Sequence, residues 1–189
     1  MNSSHDIILA SGSPRRRQLL EWAEIGFDII TRDTPETWPP GMPIPDVPVH
    51  IARNKALAVQ QVAGPEKLII AADTVVVLND EIIGKPKDRA DAIGILTRLV
   101  GKKHEVITGV ALLKAGAGLT FADTTAVWFH ELTGAEIEGY VDRYHPFDKA
   151  GAYAIQEWIG VVGIRRIEGD FYNVMGLPVS RVVRALRDF

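Results

Sequence analysis

Apolar residues along this chain fall into short blocks that alternate between two periods, and each switch marks an element. Residues 7–10 form a short apolar strand that runs through Ser11-Gly12-Ser13 into a helix ending near residue 24. Ser13 is placed to cap that helix. Pro14 fits the first helical position, where its missing amide donor costs nothing. Residues 27–31 predict a second short strand. Residues 32–48 carry six of the eleven prolines, a density that excludes helix and sheet interior and predicts a long loop. From 49 to 62, Ile51, Ala52, Ala56 and Val59 recur at helical spacing. Lys55 stands beside that face, a position from which a lysine normally reaches out to solvent. Gly64-Pro65 ends the helix.

The strongest strand signal is residues 68–78, a nearly unbroken apolar run of the kind buried on both faces, interrupted by Asp73. Asn79-Asp80 predicts a two-residue hairpin turn into a return strand over 81–84. Lys85-Pro86 ends that strand near the level at which its partner begins. Asp88 caps a helix through residue 100, which Gly101 closes. Residues 104–113 and 119–132 alternate around a glycine-rich tip at 115–118 and predict a hairpin. Thr133 and Glu136 form a capping box for a helix to about residue 144, which His145-Pro146 breaks. Residues 148–156 have no clean period. A strand over 160–167, a turn-rich loop over 169–176 and a last helix over 177–187 opened by Pro178 complete the chain. Antiparallel hairpins inserted among alternating strands and helices predict an α/β (α+β) protein with a mixed sheet, rather than a regular doubly wound one. No repeat, biased tract or composition break marks a linker, so residues 1–189 read as a single domain.

Composition narrows the partners. The 189 residues are 47% hydrophobic with a net charge of -3, and the isoelectric point is about 6.0. No global field draws such a chain to nucleic acid or to an anionic membrane, so any anion site is local. Cysteine is absent, which removes disulfides, thiolate metal sites and cysteine nucleophiles. Residues 1–6 are polar and no apolar run approaches the ~20 residues that span a bilayer. These features predict a soluble, cytoplasmic protein.

Two features conflict with purely structural roles. Arg15, Arg16 and Arg17 occupy the first turn of a helix, where the dipole disfavours cations by ~0.3 to 1 kcal/mol each. A docked polyanion resolves the conflict, since amides, serine hydroxyls and guanidinium forks would grip it together; a solvated basic turn is the plain alternative. Asp73 within an apolar strand costs several kcal/mol unless it is paired or holds a metal. Satisfaction by backbone donors or an arginine is its plain alternative. Glu36 is the sole glutamate of the proline-rich loop and, by spacing alone, an exposed acid.

P-loop, dinucleotide and metalloprotease motifs and the Gly-x-Ser-x-Gly elbow are all absent, and the five histidines show no ligand spacing. Cations at Arg15, Arg16, Lys55 and Lys85 with acids at Glu36 and Asp73 suit phosphoryl chemistry, in which a hard divalent ion bridges phosphate oxygens and a carboxylate activates water.

Six segments, in order, match one family: Leu9-Ala10-Ser11-Gly12-Ser13-Pro14-Arg15-Arg16, Ala72-Asp73-Thr74, Gly84-Lys85-Pro86, Thr108-Gly109-Val110, Asp148-Lys149-Ala150-Gly151-Ala152-Tyr153 with Ile155-Gln156, and Gly169-Asp170 to Asn173 with Gly176-Leu177-Pro178. Over essentially its whole length the chain resembles the Maf family of nucleoside triphosphate pyrophosphatases. The resemblance implies an inosine-triphosphatase-like fold, an elongated mixed sheet with flanking helices and two lobes around a nucleotide cleft, commonly as a homodimer. It implies hydrolysis between the α and β phosphates with Mg or Mn. Asp73 then resembles the proton acceptor and Glu36 with Asp73 the metal site. Ser11, Arg16, Lys55 and Lys85 resemble the triphosphate cradle. Arg15, Thr74 and Gln156 have the residue types of the branch acting on dTTP and UTP, and Arg17 faces solvent. The loop around Glu36 lacks the further acids typical of the family, and residues 157–165 match it poorly. A non-catalytic nucleotide-binding regulator of septation is the alternative function. Nucleic-acid binding through the arginine turn is disfavoured by the net acidity and by the lack of interleaved aromatics.

Overall fold

The computed structural model describes residues 5–189; the first four residues of the polar N-terminal segment lie outside the described ones. Among the described residues seven strands form one mixed sheet: β1 (Ile7–Leu9), β2 (Asp28–Ile29), β3 (Leu68–Leu78), β4 (Glu81–Ile83), β5 (Lys103–Lys114), β6 (Ala117–Phe129) and β7 (Ile164–Glu168). Their order is β2-β1-β3-β5-β6-β7, with β4 paired to β3. β1 runs parallel to both β2 and β3, whereas β4 and β7 run antiparallel to β3 and β6. The mixed α/β class predicted from the hydrophobic pattern is what the chain adopts. Among the described residues no helix is long and apolar enough to cross a membrane.

The chain divides into two compact units, and it passes between them inside β3 after Asp73, inside β5 after Ile107, inside β6 after Asp123 and once more after Met175. The first unit holds β1, β2, α1 (Pro14–Trp22), α2 (Asp46–Ala63), α7 (Val179–Ala185) and the first half of β3. Its core includes Ile8, Ala10, Ile69 and Ala71 from the sheet and Ala52, Ala56 and Val59 from α2. Alanines on the inner face of α2 let the helix lie close. The closest approach is at Gly109 of β5, where a Cβ would stand 2.2 Å from the Pro48 carbonyl carbon and the Val49 nitrogen. Only glycine fits there.

The second unit holds the rest of β3, β4, α3 (Arg89–Leu99), α4 (Gly134–Tyr144), α5 (Trp158–Gly163), β7 and α6 (Phe171–Met175). Its local signals behave as chemistry dictates. Asn79 and Asp80 turn the hairpin with φ of 50° and 61°, Asp88 accepts the Asp91 amide, and Thr133 and Glu136 close a capping box.

Several predicted boundaries differ. α2 starts at Asp46, so Pro48 lies in its first turn, where a proline forfeits no helical hydrogen bond. Ser13 holds the cap position without a side-chain bond. Its own amide donates to Ser11 Oγ at 3.3 Å, a local turn closed by the preceding serine. Residues 158–163 are helix rather than strand, and the strand begins at Ile164. Val161 there is 80% exposed, so a valine that imitates part of a buried strand lies at the surface of this chain. Residues 169–176 include the short helix α6, and α7 begins one residue after Pro178.

Candidate active site

The β1–α1 turn is built around Ser11, which is buried at 8% exposure. Its hydroxyl accepts from Arg16 Nη1 at 3.1 Å, and Arg16 Nε donates to the Gly176 carbonyl at 2.8 Å. Burial of this guanidinium lowers its pKa, with Arg15 adding to the effect and the nearby carboxylates of Asp73 and Glu36 partly offsetting it. A half-buried cation is thus held in the first turn of a helix whose opening residues include no acid. Arg15 and Arg16 are half-buried, and Arg17, expected at the solvent, is exposed and paired with Glu21 at 2.7 Å. Gly176, 160 residues away in the chain, is a partner that spacing did not reveal; the Gly176-Leu177-Pro178 segment that carries it was visible only as a motif.

Lys55 does not reach out to solvent. Its Nζ lies 2.7 Å from Glu36 Oε1 and 2.7 Å from Asp73 Oδ1. The lysine and Asp73 side chains are 18% and 12% exposed, so this pair offsets the cost of a carboxylate inside an apolar strand. Among the described residues the second Asp73 oxygen has no hydrogen-bond partner. Both acids converge on a single cation position, and their hard oxygen donors suit Mg or Mn. Among the described residues no group of three or more His, Cys, Asp and Glu comes together. An ion held by Glu36 and Asp73 would draw its remaining ligands from water or phosphate oxygens. Ser11 and Lys55 border one cavity of about 290 Å³, with Gly12, Thr31, Arg32 and Asp33 on its walls.

Thr74, Lys85 and Gln156 belong to the second unit. Thr74, next in β3 after Asp73, is half-buried; Lys85 and Gln156 are exposed. The last β3–β4 pair is Val76 with Ile83, so Thr74 lies two residues before it on one strand and Lys85 two residues beyond it on the other. The segment leading to Gln156 docks on this hairpin: Gly151 donates its amide to the Gly84 carbonyl at 3.1 Å. Its φ of 70° and the Val76 methyl 2.9 Å from its would-be Cβ both demand glycine. Of residues 151–156, Gln156 alone is exposed.

A mixed α/β sheet with a cationic, hydroxyl-lined turn and a carboxylate pair on one cation position defines a protein equipped to handle an anionic, phosphate-bearing ligand. Residues 6–189 match the family model described as Maf-like protein, and the chain belongs to that family. It is 48% identical over 181 residues to a dTTP/UTP pyrophosphatase of Cytophaga hutchinsonii, covering 96% of this chain and 83% of that one. It is 46% identical to a dTTP/UTP pyrophosphatase of Phocaeicola vulgatus, covering 97% and 95%. Among solved structures, the Staphylococcus aureus Ham1 protein aligns with a TM-score of 0.46 at 16% identity, over 66% of this chain and 72% of that one.

Proposed function

We propose that this protein hydrolyses nucleoside triphosphates, dTTP and UTP before others, to the monophosphate and pyrophosphate. The observation that carries the reading is the pair of carboxylates, Glu36 and Asp73, meeting at Lys55, in a chain 42% to 48% identical to relatives named dTTP/UTP pyrophosphatase. In this reading residues 1–189 act as one catalytic domain, as a homodimer in the cytoplasm.

Each residue then has a definite task. Ser11, Arg16, Lys55 and Lys85 bind the triphosphate; Arg16, partly desolvated, grips an anion more strongly than a fully solvated cation would. Glu36 and Asp73 hold the divalent ion, Mg or Mn, which when bound offsets phosphate charge and polarises the reacting phosphoryl group. Asp73 takes the proton of the attacking water. Water oxygen bonds to the α-phosphorus, the bond from that phosphorus to the bridging oxygen breaks, and pyrophosphate leaves with the electron pair. Arg15, Thr74 and Gln156 choose the base.

The test is pyrophosphate release from a panel of nucleotides with Mg or Mn. Rates for dTTP and UTP should exceed those for ATP and GTP. Equal rates across the panel would remove the specificity, and binding without product would remove the hydrolysis.

A further inference from the structure

The exposed amide of Gln156 takes no hydrogen bond from any described residue, so the aim of this side chain depends on the backbone that carries it. That backbone is pinned on both sides by a buried polar chain. Ala154 donates its amide to the Tyr140 hydroxyl at 3.2 Å, and the same hydroxyl donates to Glu157 Oε2 at 2.5 Å. One phenol, 1% exposed, thereby ties the residue two before Gln156 to the residue one after it. The turn is closed by the Glu157 amide donating to the Ala154 carbonyl at 3.1 Å. Glu157 is steadied from its other oxygen by Lys149 at 3.7 Å, a buried lysine that also donates to Asp148 at 2.8 Å. Gly160 leaves room for the Ile155 carbonyl, which a Cβ would meet at 1.7 Å. A buried tyrosine and lysine with a half-buried acid are a costly way to fill space, since apolar residues of the same volume are often more stabilising. What they supply is a fixed geometry around one exposed side chain.

We infer that Tyr140, with Glu157 and Lys149, is a positioning clamp that sets base selectivity through Gln156 without touching the nucleotide. The inference rests on the reading of Gln156 as a base-choosing residue. Tyr140→Phe removes only the shared hydroxyl. It should lower the ratio of kcat/KM for dTTP over dATP by about fivefold, the effect of one net hydrogen bond. Turnover of dATP should stay within about twofold, and amide exchange at residues 154–157 should quicken. Glu157→Gln keeps an acceptor for the tyrosine and should restore most of the selectivity that Glu157→Ala loses. Adding Gln156→Ala to Tyr140→Phe should cost no further selectivity. If Gln156→Ala alone lowers the ratio and Tyr140→Phe does not, the clamp is overturned and the role of Gln156 stands. If Gln156→Ala leaves the ratio intact, the base-choosing reading falls and the clamp with it. An equal fall for every nucleotide in Tyr140→Phe would make the tyrosine merely structural. Should that variant fail to fold, the contrast between Glu157→Gln and Glu157→Ala decides the matter alone.

Discussion

Lys55 and Lys149 each stand between two carboxylates, Lys55 at 2.7 Å from both Glu36 and Asp73, Lys149 at 2.8 Å from Asp148 and 3.7 Å from Glu157. The charges are the same and the surroundings are not. Around Lys149 the inner acid is also bound by the Tyr140 hydroxyl, and the lysine side chain is 10% exposed. Around Lys55 the inner acid, Asp73, keeps one oxygen without a partner among the described residues, and the lysine borders a cavity. A saturated cluster holds its atoms in place; an unsaturated one can exchange a cation or accept a proton. On the proposed function, the number of further partners, rather than the charge motif, separates the structural cluster from the reactive one.

The comparison breaks first at Asp73. Asp73→Asn keeps the shape of the side chain and removes its basicity, so kcat for dTTP should fall by about 10³ to 10⁴. Calorimetric binding of dTTP should persist. Retained turnover would take the proton from Asp73 and with it the contrast between the clusters. A paired substitution sharpens the contrast next. Lys55→Met should lower kcat/KM by about 100-fold, as loss of a phosphate-binding cation does. Lys149→Met should instead lower the unfolding free energy by about 2 to 4 kcal/mol, because it leaves the half-buried Glu157 without its cation. Urea titration and steady-state kinetics on both variants would show whether the two losses separate in this way.

The first cluster was legible in the sequence only as an anomaly. An aspartate in the run 68–78 signals a partner, and the run itself becomes β3 with the predicted ends. Nothing in the periodicity joins Asp73 to Lys55, whose helical position points it to solvent, or Lys55 to Glu36 across a proline-dense segment without a period. Those contacts arise when α2 settles on the sheet. The same holds for Arg16 and Gly176, which only the closed fold brings within 2.8 Å. Signals confined to four or five residues, such as the Thr133 capping box and the Asn79-Asp80 turn, carried over unchanged. The six-residue helix α5 did not, because one and a half turns are too short to display a 3.6-residue period and two valines imitate a strand.

Packing around α2 offers a smaller perturbation of the reactive cluster. Gly109→Ala places a methyl 2.2 Å from the Pro48 and Val49 backbone, so the helix start must move and should cost about 1 to 3 kcal/mol. Lys55 rides on that helix. The kcat/KM should therefore fall together with the melting temperature for dTTP and dATP alike, whereas Lys149→Met should lower the melting temperature and leave dATP turnover within about twofold.

A third buried pair carries no charge and gives the smallest effect. His104 is 2% exposed, stacks on Phe129 and meets the Tyr153 hydroxyl through Nε2 at 2.7 Å. Its Nδ1 has no partner among the described residues. Burial pushes the ring's pKa down from 6.5 to about 4 and pushes that of the Tyr153 phenol up, so at neutral pH both stay uncharged. Between about pH 6.5 and 4 the unfolded chain binds a proton on this ring that the native chain refuses. Stability therefore falls as pH falls through that window and gains nothing from this group above it. At pH 5 the loss from His104 should be about 2 kcal/mol relative to about pH 7.5, since each tenfold weakening of proton binding in the native state is worth about 1.4 kcal/mol. Urea unfolding at the two pH values measures it, and His104→Gln, having no ring to titrate, should show a loss smaller by that amount. An unchanged loss in the variant would mean that the acid sensitivity does not come from this ring.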